Sequence, residues 1–115
     1  MRRRKRTVTE LLTVKKKDTL SNRIRYRKYS RHTFVSCRSK NIARRFLADA
    51  EAEGFTFADG TMPTQKETWD IYAIRPDLTI CYAGWASHLL LKHGGGNVVK
   101  IDYGKYISGA TDYQM

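Results

Sequence analysis

The chain has 115 residues, enough for one small core and too few for two ordinary domains. It carries 22 Lys and Arg against 11 Asp and Glu, a net charge of +11, and cations in such excess must face water or a polyanion because burying them unpaired is costly. No apolar run reaches signal-peptide or membrane-span length, since the nearest, TVTELLTV, is interrupted by Thr9, Glu10 and Thr13; the protein is expected to stay in the cytoplasm where it is made.

Residues 1–31 read as a basic N-terminal arm. Arg2, Arg3, Arg4, Lys5 and Arg6 form one cluster, Lys15, Lys16 and Lys17 a second, and Arg23, Arg25, Arg27, Lys28 and Arg31 a third, against only Glu10 and Asp18. These thirteen cations and two anions account for the whole +11, while residues 32–115 carry nine basic and nine acidic side chains. Tyr26 and Tyr29 interleave the third cluster, joining phosphate neutralisation to rings that stack on bases. Arginine predominates, and its planar fork favours bidentate phosphate or guanine contact. A membrane partner is disfavoured, because the arm has no continuous amphipathic helix with bulky anchors.

From residue 32 the punctuation becomes that of a small domain, 32–115. HTFVSC (32–37) is β-prone and predicts a first strand. Ser39 offers an N-cap to KNIARRFLADAEAE, whose Ile42, Ala43, Phe46, Leu47 and Ala50 recur at helical spacing up to Gly54, a C′ residue. FTFADG (55–60) reads as a short strand ending in a turn, and TMPTQKET as a loop in which Pro63 forbids a central strand. WDIYAI (69–74) and LTICYAGW (78–85) flank Arg75-Pro76-Asp77 as a β-hairpin, with Trp69, Ile71 and Ala73 sharing one face. Ser87 is placed to cap a short helix, SHLLLKH, closed by Gly94, Gly95 and Gly96, and VVKIDYGKYI (98–107) predicts a last strand with a bend at Gly104. The order predicts an α+β domain: one main helix on a small, mostly antiparallel sheet.

Catalytic and metal signals are weak. Cys81, His88 and His93 lack the paired spacing of a structural zinc site, and Cys37 and Cys81 read as buried free thiols. Cys37 or Ser87 with His88 and Asp102 contains the residue types of a nucleophilic triad but not its geometry. The GGGN run has neither the P-loop ending nor the dinucleotide fingerprint. No cofactor is expected. The alternating Trp69, Trp85, Tyr72, Tyr82 and Tyr103 read as core or sheet cover rather than a base-stacking face.

The succession GFTFADGTMPT, WDIYAI, LTICYAGW and VVKIDYGKYI resembles small accessory proteins encoded by phages and mobile elements, over residues 40–107. Some such proteins with strongly charged termini are anti-CRISPR inhibitors, which bind an RNA-guided nuclease and block guide loading or DNA engagement. The DNA mimics of that class are acidic, and this chain departs from them in sign. The resemblance implies a non-enzymatic protein in the host cytoplasm whose arm meets RNA or a ribonucleoprotein. The alternatives are a general DNA- or RNA-binding accessory protein and, least favoured, a small enzyme.

Overall fold

The computed structural model describes residues 6–14, 32–83 and 98–115. Five strands, β1 (His32–Ser36), β2 (Thr56–Phe57), β3 (Ile71–Ile74), β4 (Thr79–Tyr82) and β5 (Val98–Asp102), form one sheet in the order β2-β4-β3-β1-β5. Two helices, α1 (Lys40–Ala52) and α2 (Tyr103–Ser108), and two 3₁₀ turns, Thr9–Thr13 and Pro63–Gln65, complete the described elements. The class is α+β with one main helix, as the sequence predicts.

The sheet is mixed rather than mostly antiparallel. β1 pairs antiparallel with β3, and β3 with β4, but β1–β5 and β2–β4 are parallel. Parallel partners are brought together by long crossovers, and local turn chemistry does not announce them. The hairpin forms where predicted: Leu78 N–H donates to the Arg75 carbonyl at 3.0 Å, with Pro76 at the first corner. Register puts Val35 opposite both Tyr72 and Ile101, and Ile74 opposite Ile80, so these residues share the face that α1 covers.

Helix α1 starts at Ser39, whose hydroxyl accepts from the Ile42 N–H at 3.2 Å, and is followed by Gly54 at φ +93°. Its Ala43, Phe46, Leu47 and Ala50 are buried. The Phe46 ring packs at 4.9 Å from Tyr72 and edge-on at 5.2 Å from Tyr103.

Two local expectations are corrected. The last strand stops at Asp102, because the Asp102 carboxylate accepts from the Lys105 N–H at 3.2 Å and caps α2. Tyr103 and Tyr106 then lie three apart on one buried helical face, and Gly104 fits where a Cβ would come within 2.9 Å of Ile42 Cδ1. Trp69 does not share a strand face with Ile71 and Ala73: β3 begins at Ile71, and the indole instead stacks on Tyr82. The SHLLLKH helix and the glycine run lie outside the described residues.

The N-terminal segment is part of the core. Val8 and Leu11 are fully buried in the main cluster, with Leu12 and Val14 packed against it. The Glu53 carboxylate accepts from the Val8 N–H at 2.7 Å and from the Thr9 N–H at 2.8 Å. The Tyr106 hydroxyl donates to the Thr7 carbonyl at 2.7 Å. No helix among the described residues is long and apolar enough to cross a membrane.

If the 6–14 segment is integral, Leu11→Ala will lower the free energy of unfolding by about 2–5 kcal/mol in urea titrations, the range for emptying a buried leucine site. A change near zero would show that the segment is not packed as described.

Candidate nucleic-acid interface

Of the arm residues predicted to bind nucleic acid, only Arg6 lies among those described; Arg2 to Lys5, Lys15 to Lys17 and Arg23 to Arg31, with Tyr26 and Tyr29, lie outside them. Arg6 is engaged within the fold. Its guanidinium donates to the Tyr106 carbonyl at 2.9 Å and the Ala110 carbonyl at 2.7 Å, and sits about 5 Å over the Tyr106 and Tyr113 rings. A cation there meets the carbonyl end of α2, the favourable end of the helix dipole. Arg6 therefore joins the N-terminal segment to α2, and the chain on either side of residues 15–31 is held, at Val14 by packing and at His32 by the pairing of β1 with β5.

Sequence reasoning missed a groove between α1 and residues 64–70. Two adjoining cavities, about 460 and 680 Å³, share Lys40 and Thr68 as lining. The wall made by α1 and the link before it presents Arg38, Lys40 and Arg44, and the facing wall Lys66, Glu67, Trp69 and Asp70.

Each wall is fixed by contacts behind it. On the far wall the Tyr82 hydroxyl donates to the Glu67 carbonyl at 2.6 Å, and the Trp69 N–H donates to the Tyr72 hydroxyl at 2.7 Å. The Trp69 indole N–H reaches the Ala83 carbonyl at 3.3 Å, its ring stacks on Tyr82 at 5.1 Å, and the side chain remains 46% exposed. Lys66 lies over the Phe57 ring and pairs with Asp59 at 2.8 Å; that hydrogen bond holds Asp59 below the usual carboxylate range and raises Lys66. On the α1 wall Arg38 pairs through Nε with the buried Asp102 at 2.9 Å while most of its side chain faces solvent. Lys40 and Arg44 are exposed and form no ion pair among the described residues.

The other sequence candidates separate. Cys37 is buried beside the Asp102 end of the groove, whereas Cys81 is half-buried on β4, with an Arg75 Nη at 4.0 Å from its sulfur. Ser87, His88 and His93 lie outside the described residues, among which no three His, Cys, Asp or Glu side chains gather as a metal cluster. Burial, reinforced by the Asp102 and Asp70 carboxylates, pushes the Cys37 thiol from 9.0 up to about 12. It is a protonated thiol at neutral pH, not a nucleophilic thiolate.

Comparison with protein-family models, with curated proteins and with solved structures returned no match.

A raised thiol pKa stabilises the fold fully below the unfolded value of 9.0, and that contribution disappears as pH climbs towards about 12. Burial also lifts the Tyr72, Tyr103 and Tyr106 hydroxyls above their ordinary 10.0, extending the decline. The free energy of unfolding, measured by denaturant titration, is expected to fall across this window, with a shallower slope in Cys37→Ala. Identical slopes would count against the buried thiol.

Proposed function

We propose that the protein is a non-enzymatic, cytoplasmic binder of RNA or a ribonucleoprotein, of phage or mobile-element type, which inhibits an RNA-guided nuclease. The supporting observation is charge segregation: the whole +11 falls in residues 1–31, ahead of a balanced remainder. A field so concentrated attracts polyanions and raises association rates. Eight of the cations, Lys15, Lys16, Lys17, Arg23, Arg25, Arg27, Lys28 and Arg31, fall between Val14, packed on the core, and His32, which opens β1. A polyanion bound to this stretch is thereby joined to the folded domain at both ends, and the near-neutral domain supplies specificity through protein contact.

Truncating the arm would also remove Val8 and Leu11 from the core, so charge is the variable to change. With those eight residues replaced by glutamine, the slope of log affinity against log salt for single-stranded RNA should flatten by roughly 0.7 for each phosphate that is no longer neutralised. Wild-type protein should weaken by about two and a half to four decades in affinity between 50 and 200 mM salt if about six to ten cations meet phosphates. An unchanged slope would remove the arm as the binding element. Added to a guide-loaded nuclease, the wild-type protein is expected to stop cleavage at stoichiometric amounts. RNA binding without inhibition would make it a general nucleic-acid-binding accessory protein.

A further inference from the structure

We infer that the groove between α1 and residues 64–70 is a single-strand subsite, in which one unpaired base stacks on Trp69 and the flanking phosphates meet Lys40 and Arg44. The inference rests on the nucleic-acid reading above and adds a place on the folded domain and a preference for unpaired bases.

The chemistry of the two walls differs, and that difference orients the ligand. Trp69 has one face on Tyr82 at 5.1 Å and a 27° interplanar angle, its indole N–H is satisfied by Ala83, and it is 46% exposed. An exposed indole held at its edge and back is a pre-organised stacking platform, and ordering it on binding costs little further entropy. The neighbouring rings Tyr72 and Phe57 are buried and offer no such face.

Opposite stand Arg38, Lys40 and Arg44. Arg38 is oriented by Asp102, while Lys40 and Arg44 have no carboxylate partner among the described residues. Lys40 opens α1, where the helix dipole already disfavours a cation, so an anion there gains from both. Glu67 and Asp70 on the Trp69 side repel phosphate, which leaves the backbone to the α1 wall and the base to the indole. A duplex does not fit this division, because its bases are stacked internally and present no free face.

The test uses full-length protein carrying Trp85→Phe, which leaves Trp69 as its one tryptophan, titrated with a mixed-sequence RNA dodecamer, single-stranded or annealed. Single strand should quench Trp69 fluorescence and duplex should not. Trp69→Ala, and separately Lys40→Glu with Arg44→Glu at exposed positions, should weaken single-strand binding about tenfold or more with duplex binding unchanged. The doubly charge-reversed protein serves if Trp69→Ala lowers the melting temperature. Single-strand binding without quenching, and equal in the groove variants, overturns the subsite and leaves the arm reading standing. Equal quenching by duplex also overturns it. Groove variants that bind RNA normally but no longer inhibit the nuclease would overturn the subsite and make the groove a protein-binding surface. If wild-type protein binds neither RNA at low salt, both readings fall.

Discussion

The Asp102 carboxylate holds the fold together at the point where the sheet meets the groove. It is 3% exposed, and a carboxylate so buried is tolerated only when paired and hydrogen-bonded. It ends β5, accepts the Lys105 N–H that starts α2, and receives Arg38 from the link between β1 and α1. One charge thus turns a strand into a helix and fixes the approach to the main helix. It also directs a guanidinium into the groove and, beside Cys37, helps keep that sulfur protonated. The sheet edge is closed at the same place: the Asp102 N–H donates to the Tyr113 carbonyl at 2.7 Å, and the Met115 N–H to the Lys100 carbonyl. The C-terminal residues therefore cover the free side of β5, an edge that would otherwise invite pairing with another chain.

A second carboxylate does the equivalent work at the other end of α1. Glu53 accepts two consecutive backbone N–H groups of the N-terminal segment, and Arg6 meets the carbonyl end of α2. Backbone N–H groups entering a core need partners, and the residue closing α1 supplies them. A segment that composition assigns to a basic arm is thereby built into the domain, and the cationic stretch beyond it starts and finishes at fixed points.

How much of the fold is legible in the sequence follows the range of the interactions. Helix α1 is legible because Ser39, the apolar period and Gly54 are all local signals, and the hairpin because Pro76 and the flanking β-rich runs are adjacent. Parallel pairing of β1 with β5 has no local mark. Helix α2 has one, Asp102 followed by Tyr103, Tyr106 and Ile107 at helical spacing, but the β-branched run before it extends the strand reading too far. Val8, Leu11 and Leu12 likewise sit at helical spacing, and the surrounding charge obscures them. The groove is out of reach, because its walls come from residues 38–47 and 64–70 and meet only through tertiary packing. Trp69 reads as sheet cover until Tyr72 is seen to hold its backbone N–H, and Tyr82 the Glu67 carbonyl, ahead of the strand.

The two cationic features attach to the same strand at opposite ends. The basic stretch enters β1 at His32, and the chain leaves β1 at Ser36 for Cys37, Arg38 and the groove. The four steps from His32 to Ser36 set those points roughly 13 Å apart at about 3.3 Å per residue. β1 is the inner strand between β3 and β5, hydrogen-bonded on both sides and fully buried at Val35, so the separation is rigid. Under the binding proposed above, a ligand meeting both the groove and the chain that enters at His32 would be measured against that length. On that reading a mononucleotide would be too short to reach from one to the other, whereas a single strand of several nucleotides would span them and gain from the second contact as an intramolecular event. Under the proposed reading the sheet would act as a spacer, and discrimination by length and strandedness would need no base-specific hydrogen bond.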